Sequence, residues 1–175
     1  MDFTHDLKIP KARIAVLIGE KGEVKKRLEA ETSCSISIDS KEGDVSIQGS
    51  DSLKLYTLKE IITAIARGFN PEIAERLLKQ DYALEVINVH DFIPNPNHAE
   101  RIKGRVIGEK GRSRETIERL TRTSLSVYGK TISIIGEVET ISLARKAVEA
   151  LLSGSTHAAV YRWLEKAAKD FFKPM

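Results

Sequence analysis

The sequence contains one unit twice, and this internal repeat limits the folds open to the chain more than any other feature. The segment Ile18–Gly22 reads Ile-Gly-Glu-Lys-Gly and recurs unchanged 89 residues later as Ile107–Gly111. At the same offset, Ser35–Ile38 aligns with Ser124–Val127, and both segments alternate serine with aliphatic residues. The 175 residues are therefore predicted to form two small domains with the same fold.

Both copies predict the same order of elements: a strand, a short helix, a Gly-x-x-Gly turn, a helix, two strands and a long helix. Apolar residues at helical spacing indicate the helices, and alternating residues rich in β-branched side chains indicate the strands. In the first copy the predicted elements are Leu7–Ile9, Lys11–Leu17, Glu23–Glu31, Ser35–Asp39, Asp44–Gln48 and Ser52–Arg67. In the second copy they are Leu84–Val89, His98–Val106, Arg112–Arg122, Ser124–Tyr128, Thr131–Ile135 and Val138–Ser153.

Two further helices are predicted outside the repeat. Asn70 can cap a helix in which Pro71 takes the first position, so Pro71–Gln80 is predicted to be helical. Thr156–Phe172 places its apolar residues on one stripe and is predicted to be an amphipathic helix. Residues 91–97 are predicted to form an irregular loop. The expected segments are a first domain over 1–69, a linker helix over 70–82, a second domain over 83–154 and a C-terminal helix over 155–175 that packs on the domains.

Composition excludes several classes of protein. The single cysteine, Cys34, excludes an internal disulfide and a cysteine-based zinc site, and it fits a reducing cytoplasm. The four histidines are not paired at the helical spacing of metal ligands, so no metal or other cofactor is expected. No apolar run reaches the roughly 18 residues needed to cross a membrane, and Met1–Lys11 has no apolar signal segment. The chain is therefore predicted to be cytoplasmic, without a membrane partner.

The Gly-x-x-Gly turns are the motif most directly connected with binding. A glycine at each end lets the chain reverse between two helices, and the missing side chains let a sugar–phosphate backbone approach the peptide. The helix after each turn begins with free N–H groups and the positive end of its dipole, which favour a phosphate. Lys21 in the first turn and Lys110 in the second add a mobile cation. The spacing excludes a P-loop, and no Gly-x-Gly-x-x-Gly is present.

The order of elements around each turn resembles the KH domain of type I. The resemblance implies an α+β fold made of tandem type I KH domains with the order βααββα. Each would be a three-stranded sheet covered by three helices, with the linker helix and the C-terminal helix in addition. It also implies that about four nucleotides of single-stranded RNA lie in a groove between the helix–turn–helix and the sheet edge. Aromatic residues are scarce near the turns in the sequence, so stacking is not expected to be the main source of affinity.

Basic residues surround both turns, and the second turn has more of them. Arg101–Arg122 contains eight basic and three acidic residues. Because a planar guanidinium can donate two hydrogen bonds to one phosphate, the second unit is expected to bind RNA more strongly. Its candidate RNA-binding residues are Arg101, Lys103, Gly104, Arg105, Val106, Ile107, Gly108, Glu109, Lys110, Gly111, Arg112 and Arg114. Those of the first unit are Lys11, Arg13, Ile18, Gly19, Glu20, Lys21, Gly22 and Lys25.

The segment between the two copies indicates one particular group of KH-domain proteins. Ala64–Glu72, which contains Arg-Gly-Phe-Asn-Pro, and Asp81–Ile87 are similar to the archaeal relatives of the two-KH-domain small-subunit ribosome assembly factors. In eukaryotes this group works as a partner of the endonuclease that trims the 3′ end of small-subunit ribosomal RNA. The resemblance implies a protein that binds single-stranded RNA near that end during maturation. Eukaryotic members have a degenerate first turn, whereas this chain keeps Gly19–Gly22 intact.

Two other functions are open at this point. An RNA-processing enzyme, or its RNA-binding subunit, would need a general base or metal ligands, and His90, Asp91 and His98 are the candidates. An adaptor would use the first unit to dock a protein such as a ribosome-maturation nuclease or a translation factor. The residue pattern favours a non-catalytic RNA-binding protein, because two histidines beside a loop are usually ordinary turn residues.

Overall fold

The computed structural model describes residues 1–174 of the chain. Contacts between residues divide the chain into two compact units, Met1–Lys79 and Gln80–Met175. Each unit contains one copy of the repeat and combines a three-stranded antiparallel sheet with helices. The predicted α+β class and the predicted order βααββα of each copy are confirmed. Among residues 1–174, no helix is long and apolar enough to cross a membrane.

The first unit follows the predicted order. Its elements are β1 (Phe3–Lys8), α1 (Lys11–Ile18), α2 (Glu23–Thr32), β2 (Ser35–Asp39), β3 (Asp44–Gly49), α3 (Ser52–Ala66) and α4 (Pro71–Ala74). The strand order is β1-β3-β2, and Ile36 on β2 lies opposite Ile47 on β3. Opposed residues share one face of a sheet, so both side chains point to the side that the helices cover. Both are buried there with Leu28 of α2 and Leu58 of α3.

The second unit repeats this arrangement and adds a long helix. Its elements are β4 (Tyr82–Asn88), α5 (Ala99–Ile107), α6 (Arg112–Thr121), β5 (Ser124–Tyr128), β6 (Thr131–Glu137), α7 (Val138–Leu152) and α8 (His157–Phe171). The strand order is β4-β6-β5. Val160 and Leu164 of α8 belong to the same buried cluster as Ile117 and Val148. The C-terminal helix is therefore part of the core of this unit, where burying each aliphatic side chain stabilises by roughly 1.5–3 kcal/mol.

Two predicted elements differ from the structure by more than two residues at one end, and the others agree within two residues. β1 begins at Phe3 rather than Leu7, because it is an edge strand whose first residues are exposed and carry no apolar alternation. The helix predicted over Pro71–Gln80 ends at Ala74 and tightens into a 3-10 turn over Glu75–Leu78. The tighter turn buries Leu77 and places the carboxylate of Glu75 2.6 Å from Nε of Arg27. The prediction of a regular helix to Gln80 is therefore wrong.

Two short 3-10 turns, Val89–Phe92 and Pro96–His98, overlap the two ends of the predicted irregular loop at residues 91–97. Each turn is preceded by an asparagine whose side-chain oxygen accepts a hydrogen bond from a backbone N–H two residues on. Asparagine favours such local turns over helix. The segment therefore connects β4 to α5 without forming a further long element.

Candidate nucleic-acid interface

The first glycine of each Gly-x-x-Gly turn sits where no side chain fits. A Cβ added to Gly19 would lie 2.5 Å from Cγ2 of Val24, and one added to Gly108 would lie 2.6 Å from Cβ of Ser113. Both glycines also have a positive φ, 77° and 75°. The turn can therefore fold closely onto the helix that follows it only because these two positions lack a side chain.

The lysine inside each turn adopts the left-handed backbone conformation. Lys21 and Lys110 both have a φ of 55°, a region that costs a non-glycine residue on the order of 1 kcal/mol. Both side chains are exposed, and neither forms a hydrogen bond or ion pair with another of residues 1–174. Each turn therefore presents a free ammonium group on a conformation that the surrounding fold has to maintain.

The helices that follow the turns have open N-termini. Gly22 precedes α2 and Gly111 precedes α6, and no side chain caps either helix. Elsewhere the chain does use caps: Asp51 accepts from the N–H groups of Leu53 and Lys54 in the first turn of α3, and Thr156 accepts from that of Ala159 in the first turn of α8. The first N–H group of each helix, that of Glu23 or Arg112, donates to a backbone carbonyl of the turn. The positive dipole end of α2 and of α6 nevertheless has no side-chain cap and lies beside an exposed lysine, which favours an anion.

Arg13 is held within the first unit rather than presented to a ligand. Its Nε donates to the carbonyl oxygen of Ile65 at 2.8 Å, and its Nη2 donates to that of Phe69 at 2.7 Å. These carbonyls lie at and beyond the C-terminal end of α3, where helical hydrogen bonds run out and the dipole favours a cation. Arg13 is therefore a clamp that joins α1 to the end of α3, and its predicted contact with a phosphate stays a prediction.

Arg105 forms the equivalent clamp in the second unit. Its two Nη atoms donate to the carbonyl oxygens of Leu151 and Ser155 at the end of α7. These carbonyls correspond, in the repeat, to those that Arg13 contacts, although the two arginines occupy positions three residues apart in the aligned helices. The predicted contact of Arg105 with a phosphate likewise stays a prediction.

Other predicted cations also have partners in the protein. Nζ of Lys103 lies 2.6 Å from a carboxylate oxygen of Glu100 and donates to the carbonyl of Gly129 at 2.9 Å. Lys25 and Arg114 each pair with the glutamate four residues on. Of the predicted RNA-binding cations, those that are exposed and have no partner among residues 1–174 are Lys11 and Lys21 in the first unit and Arg101, Lys110 and Arg112 in the second.

The remaining candidates divide between surface and core. Val106 is fully buried in the second core and is a packing residue rather than a groove wall. Ile18 and Ile107, directly before the turns, are half-buried and keep part of their surface for a ligand. Gly104 is exposed and would have no atom within 4 Å of an added Cβ. Glu20 and Glu109 are exposed beside the turn lysines.

The structure places two aromatic residues near the second turn that the sequence did not indicate. A cavity of about 550 Å³ lies between α5, α6 and the start of α8. It is lined by Arg101, Gly104, Arg105, Gly108, Glu109, Arg112, Ser113, Thr116, His157 and Tyr161. The i, i+4 spacing of His157 and Tyr161 put them on one face of a predicted helix, but no sequence signal placed that face beside the turn.

The candidates for catalysis lie on the connection between β4 and α5. His90 and Asp91 are in the turn Val89–Phe92, and the exposed His98 ends the turn Pro96–His98. In the described part of the chain, no three side chains of the metal-binding types come together as a possible metal site.

Comparison with family models assigns both units to KH domains. Residues 83–169 match a model of the eukaryotic type, KH-domain type I, built on the second domain of PNO1, and residues 4–64 match the general KH domain. The first of these matches extends through most of α8, the helix that shares the core of the second unit.

Similar proteins come from archaea and eukaryotes. A KH domain-containing protein of Methanocaldococcus jannaschii is 48% identical over 91% of this chain and 72% of its own length. The pre-rRNA-processing protein PNO1 of Coccidioides immitis is 32% identical over 69% of this chain. The match spans only 45% of that protein, so this chain covers less than half of its eukaryotic relative.

Solved structures of archaeal proteins have the same fold. Dim2p from Pyrococcus horikoshii superposes with a TM-score of 0.87 at 47% identity, covering 94% of this chain and 99% of that one. The matching chain in the a/eIF2alpha–aDim2p–rRNA complex from the same organism gives a TM-score of 0.91 at 46% identity, covering 97% of this chain and 96% of that one.

Proposed function

The chain belongs to the family of KH-domain proteins that includes PNO1 and Dim2p, and from this premise we propose that it binds single-stranded RNA through its Gly-x-x-Gly turns. The proposal rests on one observation: the two turns share the same geometry. Each combines an uncapped helix N-terminus with a free lysine held at a φ of 55°. A phosphate is the ligand that the uncapped helix end and the free ammonium group both favour.

The RNA we propose is the small-subunit ribosomal RNA near its 3′ end, with the chain acting as a cytoplasmic ribosome assembly factor. Two relatives support this choice: one is named a pre-rRNA-processing protein, and the Dim2p relative forms a complex that contains rRNA. The second unit is the main RNA clamp in this proposal, because its free cations include Arg101 and Arg112.

We further propose a translation factor as protein partner. The Dim2p relative, 46% identical to this chain, is found in one complex with a/eIF2alpha as well as with rRNA. Copurification of the pure chain with the α subunit of that initiation factor, in the presence and absence of RNA, tests this partner. No association in either condition would refute it without affecting the RNA proposal.

Crosslinking in cells followed by sequencing of the bound RNA tests the RNA proposal. Crosslinks are expected to concentrate near the 3′ end of small-subunit rRNA, and the crosslinked peptides are expected to include the second turn. A spread of crosslinks over unrelated messenger RNAs would contradict the role in assembly. Crosslinks restricted to duplex regions would contradict the groove model, because paired and stacked bases cannot enter it.

The proposed role is non-catalytic, and an incubation separates it from that of a processing enzyme. Pure protein with labelled single-stranded RNA and magnesium is expected to leave the RNA intact. Reproducible cleavage that His90→Gln or His98→Gln abolishes would instead establish the nuclease alternative and identify its general base.

The affinity for single-stranded RNA is expected to fall gently with salt. If three or four phosphates are contacted, the slope of log affinity against log salt should be roughly −2 to −3, at about −0.7 per phosphate for a single strand. Fluorescence anisotropy titrations at several salt concentrations measure this slope. A much steeper slope would indicate an extended basic surface rather than two compact turns.

A further inference from the structure

The cavity beside the second turn is built from three helices, one of which lies outside the KH repeat. α5 and α6 carry the turn between them, and α8 closes the third side with His157 and Tyr161. Its volume of about 550 Å³ falls within the range of sites that hold small organic ligands. Clamping of a sugar–phosphate backbone by the turn does not require this third wall.

The charged groups at the cavity favour an anion. Arg101 and Arg112 are exposed and have no partner among residues 1–174, whereas Arg105 is fixed by two backbone carbonyls. Glu109 is the single carboxylate among the lining residues. Two free guanidinium groups on adjacent helices can therefore donate paired hydrogen bonds to a phosphate.

The α8 side of the cavity has a fixed aromatic wall. Nε2 of His157 lies 2.7 Å from the carbonyl oxygen of Arg105, and because a carbonyl only accepts, this nitrogen carries the proton. The imidazole packs edge-to-face against Tyr161, with ring centroids 6.0 Å apart. This contact fixes the position of the phenol ring, which is half-buried. A ring fixed in this way is suited to stacking with a nucleobase.

Polar groups complete the lining of the cavity. Ser113 is only 1% exposed, and its hydroxyl has no hydrogen-bond partner among residues 1–174. The hydroxyl of Thr116 is on the next turn of the same helix face. A base with donors and acceptors on its edge matches such a lining better than an aliphatic ligand does.

The first unit shows which of these features a Gly-x-x-Gly turn needs. At the repeat offset, Arg101, Arg112 and Ser113 correspond to Ala12, Glu23 and Val24. After α3, the first unit continues into the four-residue helix α4 instead of a long helix. The two turns nevertheless have the same backbone. The cations, the buried hydroxyl and the aromatic wall are therefore additions specific to the second unit.

We propose that this cavity is a nucleotide subsite that extends the RNA clamp of the second unit. It holds the phosphate of one further nucleotide between Arg101 and Arg112 and stacks its base on Tyr161. Gly108 and Glu109 belong both to the turn and to the cavity lining, so a strand held at the turn continues into the cavity. The subsite rests on the proposed RNA binding. Its residues would lengthen the segment of RNA that the second unit recognises.

Comparison of short and extended RNAs tests the subsite with the full chain. The probes are an RNA of about four nucleotides, the length that one KH groove clamps, and RNAs lengthened by two nucleotides at either end. Tyr161→Leu is expected to weaken binding of one extended series about tenfold, as loss of one stacked base does. It should leave binding of the short RNA unchanged, and Tyr161→Phe should keep the affinity of the natural chain. The matched control is Trp163→Leu, which removes an exposed aromatic of the same helix outside the cavity.

A fluorescent base distinguishes stacking from indirect effects. With 2-aminopurine at the added position, binding should quench its emission in the natural chain and in the Trp163→Leu variant, but not in Tyr161→Leu. An equal loss for short and extended RNA, or no loss for either, would overturn the subsite while leaving the RNA clamp intact. If the unmodified chain binds none of the RNAs, the proposed function itself fails.

Discussion

Replacing Glu109-Lys110 by Asp-Asp in the second turn is expected to weaken single-stranded RNA binding by about 30-fold or more. The change removes the free ammonium of Lys110 and leaves two carboxylates beside the open N-terminus of α6. Loss of the charge-assisted contact and the added repulsion should each cost about 1–2 kcal/mol. Binding isotherms with one single-stranded RNA measure the effect.

The double change should leave the fold intact. Both glycines of the turn remain, and aspartate tolerates the left-handed conformation that Lys110 adopts at a φ of 55°. The melting temperature should therefore equal that of the unmodified chain. A lowered melting temperature would assign the loss of binding to unfolding, and Lys110→Gln would then isolate the contribution of the charge.

The equivalent change at Glu20-Lys21 is the matched control. The backbone of the two turns is the same, so only their surroundings differ. If the second unit is the main clamp, this variant should lose several-fold in affinity at most. A larger loss from the first turn than from the second would refute that assignment and give the RNA-binding role to the first unit.

The expected difference in RNA affinity between the two units has one physical basis in the sequence and another in the structure. The sequence has more basic residues around the second turn, but Lys103, Arg105 and Arg114 form contacts within the protein. Fewer of these cations are therefore free for RNA. What remains specific to that unit is the pair Arg101 and Arg112 beside the cavity that α8 closes. The expected asymmetry now depends on where free guanidinium groups lie, rather than on their number in a segment.

Most of the fold could be predicted because its signals are local and appear twice. The Gly-x-x-Gly turn, the alternating strands and the aliphatic spacing of the helices each depend on neighbours within a few residues. The predicted bounds of β1 are too short because an exposed edge strand buries little surface, so residues 3–6 carry no hydrophobic pattern. The helix predicted from Pro71 is too long because tertiary contacts of Leu77 and Glu75 tighten its second half into a 3-10 turn.

The partners of charged side chains could not be predicted in the same way. Arg13 contacts carbonyls 52 and 56 residues away, and Arg105 contacts carbonyls 46 and 50 residues away. Such pairs form only when the first and last helices of the repeat pack together (α1 with α3, α5 with α7), and the local sequence pattern does not specify this packing. The position of Tyr161 beside the turn has the same origin, since α8 lies outside the repeat and has no counterpart to compare.

Replacing Arg105 by methionine is expected to lower the free energy of unfolding of the second unit by about 2 kcal/mol. The variant keeps an apolar stem but loses two charge-assisted hydrogen bonds to the end of α7, and the carbonyl of the buried Leu151 loses its guanidinium donor. Trp163, the single tryptophan of the chain, lies on α8 in this unit. Its fluorescence during urea unfolding therefore reports the transition of the second unit.

Arg112→Met is the control for the loss of an arginine near the same turn. Its side chain is exposed and has no partner among residues 1–174, so the change in unfolding free energy should stay within about 0.5 kcal/mol. Under conditions where both variants are folded, Arg105→Met should bind a four-nucleotide RNA as the unmodified chain does, whereas Arg112→Met should bind the RNA that is extended into the cavity more weakly. If Arg105→Met instead keeps full stability and loses RNA affinity, its guanidinium is a phosphate ligand, as the residue pattern alone predicted, and the clamp on α7 is not its role.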